Sequence, residues 1–301
     1  MTSTYHTPVL LEESVSLMNI SAADTCVDLT FGGGGHSRRI LDMLGPEGRL
    51  YAFDRDADTL ANIPDDGRFN YVASNFKYMR GALRSRGVVQ VDAVLADLGV
   101  SSHHFDDTAR GFSFRGDAPL DMRMNRRGGR TAADIVNGMT NDELTRILRD
   151  YGELETPWKV ANCIERARSA EAIRTTSQLV EAVRPCTPRK DEAKFLTKLF
   201  QALRIEVNGE MEALMMALEQ SCRMLRPGGR LVVISYHSLE DRLVKNFMRS
   251  GNFTGECPTD FYGHRQTPFE VVTRKAVTPS ADEVSRNPRS RSARLRAAVK
   301  L

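Results

Sequence analysis

The sequence predicts an α/β protein in which a mainly parallel sheet is interrupted by a helical insertion. Short apolar strands alternate with helical patterns over residues 24–97, and the alternation returns after about residue 206. Residues 105–205, between them, contain few β-branched runs and several helical patterns. A chain of 301 residues is long enough for one large domain or two ordinary ones.

The first part of the sheet is expected to contain four strands and a helix. The strands are predicted at residues 24–31, 49–53, 70–73 and 91–96. The run HSRRILDMLG at 36–45 has a helical pattern that ends at Gly45. Acids stand at the ends of three of these strands, namely Asp28, Asp54 and Asp97.

The inserted region is expected to be mainly helical. Helices are predicted at residues 141–151, 156–168 and 175–184, the last capped by Thr175 or Thr176. Residues 111–130 have mixed charge, several glycines and no periodicity, which indicates a long loop. Long loops in compact proteins are often functional.

The second part of the sheet follows the insertion. An amphipathic helix from residue 210 is closed by a Pro-Gly-Gly turn, and strands are predicted at 230–235 and 269–274. We therefore predict a discontinuous domain made of residues 1–105 and 206–301. The inserted domain covers 106–205, and residues 284–301 form a basic tail.

Composition excludes several classes of protein. No apolar run reaches membrane-spanning length, and the N-terminal residues lack the pattern of a secretory signal. The five cysteines are scattered without a CxxC pair, so neither a disulfide framework nor a metal site is predicted. A protein of the reducing cytoplasm is the simplest interpretation.

Charge is distributed unevenly along the chain. The net charge is +3, yet residues 284–301 contain five arginines, one lysine and no acid. The rest of the chain is therefore mildly acidic. Such a segment favours a polyanionic partner, with a solvated tail that binds nothing as the equal alternative.

The run VDLTFGGGGHS at 27–37 places four glycines between the first strand and the next helix. A ligand outside the carboxyl end of a strand can approach bare backbone there and meet the positive end of the helix. A P-loop is excluded because no lysine follows the glycines. The dinucleotide fingerprint G-x-G-x-x-G/A is nearly met, so a nicotinamide dinucleotide stays an alternative.

The acids favour a cationic ligand. Asp28, Asp54 and Asp97 at separate strand ends suit S-adenosylmethionine, which carries an ammonium, a sulfonium and a ribose diol. They suit a pyrophosphate less well. Capping of helices explains any one of these acids, but does not readily explain all three.

Nine segments, in order and at similar spacing, resemble one family. They are HTPVLLEE at 6–13, DLTFGGGGHS at 28–37, FDRD at 53–56, SNF at 74–76, ADLGVSS at 96–102, RGFSFRGDAPLDMRM at 110–124, FQALRIEVNGE at 200–210, SYHSLEDRLVK at 235–245 and NPRSRSARLRA at 287–297. The sequence closely resembles the bacterial 16S ribosomal RNA cytosine-N(4)-methyltransferases, the RsmH or MraW family.

The resemblance implies a Rossmann-like class I S-adenosylmethionine-dependent methyltransferase sheet with a helical insertion domain. It implies methylation of the exocyclic N(4) amine of one cytosine near the decoding site of the small ribosomal subunit. It also implies cofactor contacts at seven positions: Gly34, Gly35, His36, Asp54, Phe76, Asp97 and His104. His104 stands where the family usually has glutamine, and an imidazole copies only one end of an amide. The run CTPRKDEAKF at 186–195 also departs from the family pattern, in a region where RNA contacts are expected.

The chemistry fits a nitrogen target. The lone pair of a cytosine amine is delocalised, so the enzyme must orient the amine and accept its protons. Asp97 is a candidate for that acceptor or for a cofactor ligand, and Tyr236 and His237 are candidates to contact the base or to support the site. No cysteine follows the fourth or fifth strand, which argues against carbon-5 methylation. Ribose methylation stays an alternative.

The predicted partner is 16S ribosomal RNA in the small subunit. The protein is expected to be a monomer or a homodimer and to have no membrane partner. Six arginines within residues 110–130, with those of the tail, are candidates to contact phosphates: Arg110, Arg115, Arg123, Arg126, Arg127 and Arg130. Three other functions stay open. They are an NAD-dependent oxidoreductase, a non-catalytic RNA-binding or assembly factor, and a methyltransferase of proteins or small molecules.

Overall fold

The computed structural model of the chain describes residues 8–99, 110–126, 128–257, 259–262 and 266–301. The chain divides into two compact units. The sheet unit combines Met1–Gly99 with Met211–Leu301, and the insert unit is Val100–Glu210. The boundaries predicted from the sequence, 105/106 and 205/206, lie a few residues inside the insert unit.

The described part of the sheet unit contains a seven-stranded sheet. Its strands are β1 Thr25–Asp28, β2 Arg49–Asp54, β3 Phe69–Ala73, β4 Val91–Asp97, β5 Leu225–Ser235, β6 Phe269–Val271 and β7 Arg294–Lys300. Their order across the sheet is β3-β2-β1-β4-β5-β7-β6. Strands β1 to β5 run parallel, whereas β7 is antiparallel to both of its neighbours, β5 and β6.

Eleven α-helices lie among the described residues. Three precede the insert: α1 Leu11–Met18, α2 Gly35–Met43 and α3 Met79–Arg84. Five belong to the insert unit: α4 Ala132–Gly138, α5 Asn141–Asp150, α6 Pro157–Ala170, α7 Thr176–Val183 and α8 Glu192–Asn208. Three follow: α9 Glu210–Met224, α10 Ser238–Ser250 and α11 Ala281–Arg286. Across the described ranges, none of these helices has the length and apolar character that a bilayer crossing requires.

Helices cover both faces of the sheet. Alternate residues of a strand point to opposite faces, so Val94 and Ala96 join one apolar cluster while Ala93 and Leu95 join the other. The first cluster includes side chains of α3, α9 and α10, and the second those of α1 and α2. A strand buried on both faces explains why residues 93–96 of β4 form an uninterrupted apolar run.

The insert unit has a hydrophobic core of its own. Buried side chains from all five of its helices meet there, with Phe112, Leu120 and Met122 from the preceding loop. Helices α4, α5 and α7 each begin with a threonine in a reciprocal capping box with the residue at the third helical position. Thr175 is therefore the cap of α7, one of the two alternatives predicted.

The predicted strands and the predicted helices are present, with two differences that matter. The Pro-Gly-Gly segment lies within the bounds of β5, where the pairing with β4 skips from Leu225 to Arg230. The expectation of a tail at 284–301 is wrong, because this segment forms part of α11, a short 3-10 helix at Pro288–Ser292 and strand β7. Strand β7 is largely buried inside the sheet.

Candidate active site at the carboxyl edge of the sheet

The parallel strands bring several predicted site residues to one edge of the sheet. Strand β1 pairs with β2 on one side and with β4 on the other, so their carboxyl ends lie side by side. The glycine turn, Asp54 and Asp97 follow from these three ends. Ligands of open α/β sheets bind at this edge.

The glycine turn is anchored to the neighbouring strand. The backbone N–H of Gly32 donates a hydrogen bond of 2.9 Å to Oδ2 of Asp54. Gly34 precedes α2 with a φ of 75°, in the left-handed region that disfavours side chains. A Cβ on Gly35 would lie 2.0 Å from Cγ of Pro8. The missing side chains therefore have structural causes, and they leave the backbone at the start of α2 uncovered by its own side chains.

Two residues that sequence reasoning missed hold the outer side of this turn. Arg38 donates to the carbonyl of Gly33 at 2.7 Å, and Nδ2 of Asn62 donates to the carbonyl of Gly32 at 3.0 Å. Arg38 also donates to the carbonyl of Asn62 at 3.0 Å. No local pattern marks Asn62, because its partner lies thirty residues earlier in the chain.

Asp28 does not meet the expectation of a ligand contact. Its side chain is buried, and Oδ2 accepts a 2.6 Å hydrogen bond from the Ser37 hydroxyl. Oδ1 accepts from the backbone N–H of Thr30 at 3.0 Å. The carboxylate thus joins the end of β1 to α2.

Asp54 keeps capacity for a ligand. Its two oxygens accept backbone hydrogen bonds of 2.9 Å, one from Gly32 and one from Asp56. Burial nevertheless raises the pKa of Asp54 above its ordinary value, although these backbone donors act in the opposite direction. A carboxylate offers about four acceptor positions in all, so Asp54 keeps capacity for a hydroxyl of a diol.

Asp97 lies between two side chains of the sheet unit. The hydroxyl of Tyr236, which follows β5, donates to Oδ1 of Asp97 at 2.8 Å. On the other side, Nδ1 of His36 lies 3.8 Å from Oδ2. Burial raises the pKa of Asp97, while His36 and the Tyr236 hydrogen bond act to lower it. Burial and the Asp97 charge raise the pKa of the Tyr236 phenol well above its ordinary value, so Tyr236 is a stable donor.

Glu240, a residue the sequence analysis did not select, holds Tyr236 and His237 in place. It accepts the backbone N–H of Tyr236 at 2.9 Å, and its own N–H donates to Nδ1 of His237 at 3.4 Å. Nε2 of His237 lies 3.2 Å from the other carboxylate oxygen of Glu240. The side chain of His237 thus caps α10, and the structure brings it to Glu240.

The remaining predicted cofactor residues fall in two groups. Phe76 follows β3 in a short 3-10 helix, Phe76–Tyr78, which is capped by Asn75, and it packs partly buried against the sheet. His104 lies outside the described residues.

The arginines of the 111–130 loop region are not a uniform basic surface. Arg110 is buried and donates to the carbonyls of Arg123 and Met124 at 3.0 and 2.9 Å. Arg123 binds the Asp121 carboxylate with both ends of its guanidinium, at 2.7 and 2.9 Å. These two cations are therefore structural, which corrects the expectation that they contact phosphates.

Three other arginines of this group are exposed. Arg115 and Arg126 lie at the surface, and Arg130 is 3.5 Å from the Glu206 carboxylate while its side chain stays 62% exposed. Arg127 lies outside the described residues. Exposed loop cations can still contact phosphates.

The arginines of 284–301 divide in the same way. Arg296 on β7 is buried, and its guanidinium binds Asp241 of α10 at 2.6 and 3.1 Å. Arg294 lies 3.7 Å from the same carboxylate. Arg286, Arg289 and Arg291 are exposed. Part of the positive charge assigned to a tail thus stabilises the sheet.

Together, the strand order, the antiparallel strand in the sixth place and the acids around a glycine turn define a class. It is the Rossmann-like class I methyltransferases, which use S-adenosylmethionine. A family model described as the MraW methylase family matches residues 3–301. The chain belongs to the MraW methylase family.

Curated relatives match over almost the whole chain. A Bacteroides fragilis protein is 56% identical over 298 residues, which cover 99% of this chain and 98% of that protein. A Bacteroides thetaiotaomicron protein is 57% identical over 297 residues, with the same coverage. A Flavobacterium johnsoniae protein is 48% identical over 303 residues and covers both chains completely. Each of these relatives is named Ribosomal RNA small subunit methyltransferase H. The predicted family, fold class and methyl donor are therefore confirmed.

Proposed function

We propose that this enzyme methylates the exocyclic N(4) amine of one cytosine in 16S ribosomal RNA, near the decoding site of the small subunit. The observation that carries the proposal is the position of Asp97, an acid at the end of β4 held by the Tyr236 hydroxyl beside the glycine turn. Its relatives' names, which specify small-subunit ribosomal RNA, support the substrate. Such a substrate supports a cytoplasmic location.

The residues at this edge fit the methyl donor by their chemistry. Asp54 keeps acceptor capacity for a ribose hydroxyl, and the backbone at Gly34 and Gly35 opens a helix whose positive end suits a carboxylate. Phe76 offers an apolar surface for the adenine ring, and Asp97 and His36 complete the set. His104 belongs to the same proposal through the family pattern alone.

Asp97 is the proposed catalytic residue. S-adenosylmethionine supplies a methyl group on a positively charged sulfur. A carboxylate at this place can accept a hydrogen bond from the target amine and so localise its lone pair. Tyr236 orients Asp97 through its hydroxyl, and Glu240 and His237 are positioning residues that fix the turn carrying Tyr236.

The cysteines argue for nitrogen over carbon as the target. Carbon-5 methylation requires a thiolate beside the base. All five cysteines are among the described residues, and none lies in the segment directly after β4 or β5. Cys26 lies inside β1, where burial raises the pKa of its thiol far above the ordinary value.

A surface of the insert unit offers a place for RNA. Phe114, Arg189, Lys190 and Leu196 line an open depression of about 470 Å³. Arg189 and Lys190 are exposed there, as is the acid Glu192. An aromatic side chain beside two exposed cations suits an unpaired nucleotide.

Transfer of labelled methyl groups tests the function. Small-subunit ribosomal RNA, naked and assembled, is incubated with the enzyme and labelled S-adenosylmethionine, and nucleosides are identified by mass spectrometry. We expect N(4)-methylcytidine, with large-subunit RNA as the unlabelled control. Detection of 5-methylcytidine or a ribose-methylated nucleoside would overturn the assignment. RNA binding without transfer would indicate an assembly factor.

A further inference from the structure

His36 lies between two hydrogen-bond acceptors. Its Nε2 is 3.2 Å from the carbonyl oxygen of Val9, and a carbonyl can only accept, so Nε2 carries a hydrogen. Its Nδ1 is 3.8 Å from Oδ2 of Asp97. The ring is only 6% exposed, so water does little to screen this arrangement.

The tautomer fixed by Val9 has a consequence for the pair. In a neutral His36, Nδ1 presents its lone pair to Asp97, which is repulsive if Asp97 is ionised. One additional proton, on Nδ1 or on the carboxyl group, makes the contact attractive. At 3.8 Å the two atoms are too far apart to hold a proton between them, so the geometry favours one proton carried by either member of the pair.

The surrounding charges act in the same direction. Asp28 at the end of β1 and Glu240 on α10 both raise the pKa of Asp97, and so does burial. Glu283 of α11, which accepts the backbone N–H of Leu10, adds negative charge near Tyr236. Tyr236 is the neutral donor on the other oxygen of Asp97. A buried group of acids favours one positive charge among them.

We propose that the pair of His36 and Asp97 carries one proton in total before the methyl donor binds, that the donor's positive charge displaces it, and that the pair then takes the proton lost by the target amine. This inference rests on the proposed function. Asp97 and His36 would thus balance charge through the whole reaction.

The bonds and charges of the transfer balance. The carbon–sulfur bond breaks with its electron pair left on sulfur, and the lone pair of the amine forms the new nitrogen–carbon bond. The amine then releases one proton to Asp97, and His36 can stabilise it through Nδ1. The positive charge moves from sulfur to the methylated amine and then, with the proton, to the pair, so the net charge of the site stays constant.

Two ligands that differ by one methyl group and one charge should release different numbers of protons when they bind. S-adenosylmethionine is cationic at sulfur and should expel the proton of the pair, whereas S-adenosylhomocysteine is neutral there and should leave it in place. Proton release makes binding tighter as pH rises. The affinity ratio of the two ligands should therefore change with pH, by up to about tenfold per unit where the pair is protonated.

Calorimetry in two buffers of different ionisation enthalpy counts these protons without RNA. We expect S-adenosylmethionine to release about one proton more per site than S-adenosylhomocysteine. The difference should vanish in His36→Gln, whose amide can still donate to Val9, and in Asp97→Asn. It should persist in Asp65→Asn, a change at an exposed acid.

The outcomes separate this inference from the proposed function. Equal proton release by the two ligands in the unaltered enzyme overturns the inference and leaves the function intact. A difference that persists in Asp97→Asn also overturns it, even if His36→Gln no longer binds either ligand. Failure of the unaltered enzyme to bind either ligand would instead defeat the proposed function.

Discussion

At the residue scale, three acids that end neighbouring strands play different parts. Asp28 is buried with both oxygens bonded to neighbours in the chain, so it shapes the turn. Asp54 is bonded to two backbone N–H groups and keeps acceptor capacity. Asp97 faces one phenol and one imidazole. The sequence places all three correctly at one edge, but which acid faces a ligand depends on partners that only the fold supplies.

Asp54→Asn is predicted to weaken binding of S-adenosylhomocysteine by about 10- to 100-fold. The change removes a charged acceptor, and a hydrogen bond to a charged group contributes about 1.5–3 kcal/mol. Titration calorimetry measures the affinity. Asp65→Asn, the same change at an exposed position, should leave it unaltered. Equal affinities in the two variants would contradict the role of Asp54.

At the scale of single elements, α2 and β7 show how distant contacts decide local structure. The start of α2 requires glycine because Pro8 packs against residue 35. Strand β7 carries three cations, so its sequence, RLRAAVK, indicates a surface segment. The fold buries Arg296 only because Asp241 neutralises it, and that partner lies 55 residues earlier. The sequence predicts the stretch that forms α8 only as part of a mainly helical region, although the apolar side chains of this helix fill the core of the insert unit.

Gly35→Ala and Gly81→Ala form a matched pair of helical changes. An added Cβ at residue 35 meets Pro8, whereas at residue 81 nothing lies within 4 Å. We expect Gly35→Ala to lower the free energy of unfolding by about 1–3 kcal/mol. Gly81→Ala should raise it by up to about 1 kcal/mol, because alanine favours the helix. Urea denaturation measures the free energy of unfolding of both variants. If both change it equally, Pro8 moves aside at little cost and the contact does not require glycine at residue 35.

Arg296→Ala is expected to lower the free energy of unfolding by about 3–5 kcal/mol. The change leaves the Asp241 carboxylate buried without its main partner. Arg291→Ala, at an exposed position nearby, should shift it by less than about 0.5 kcal/mol. Thermal and urea unfolding of both variants test this. Similar free energies of unfolding for the two variants would mean that the fold tolerates Asp241 without its Arg296 partner.

At the scale of the whole molecule, the two units enclose separate hydrophobic cores. The core of the insert unit is built from residues between 112 and 203, and the two clusters of the sheet unit lie on either face of its sheet. The alternation of strands and helices, interrupted over residues 105–205, predicts a separate inserted unit. The part of the site that includes His104 lies outside the described residues.

Hydrogen exchange should show that S-adenosylhomocysteine, the product left by the methyl donor, stabilises the sheet unit more than the insert unit. At a concentration 100 times its dissociation constant, S-adenosylhomocysteine adds about 2.7 kcal/mol, or about 100-fold slower exchange through global opening. We expect this protection in peptides covering 25–37, 49–56 and 91–97. Peptides covering 141–205 should change little. Equal protection in both sets would mean that the two cores open together.

The place of β7 between β5 and β6 has a consequence for refolding. Before residues 294–300 dock, β6 has no strand to pair with and β5 presents an open row of peptide groups. The open edges of β5 and β6 can then pair with residues 294–300 of a neighbouring copy of the chain. Concentrated refolding mixtures are therefore expected to yield strand-exchanged dimers, which dilution before refolding should suppress.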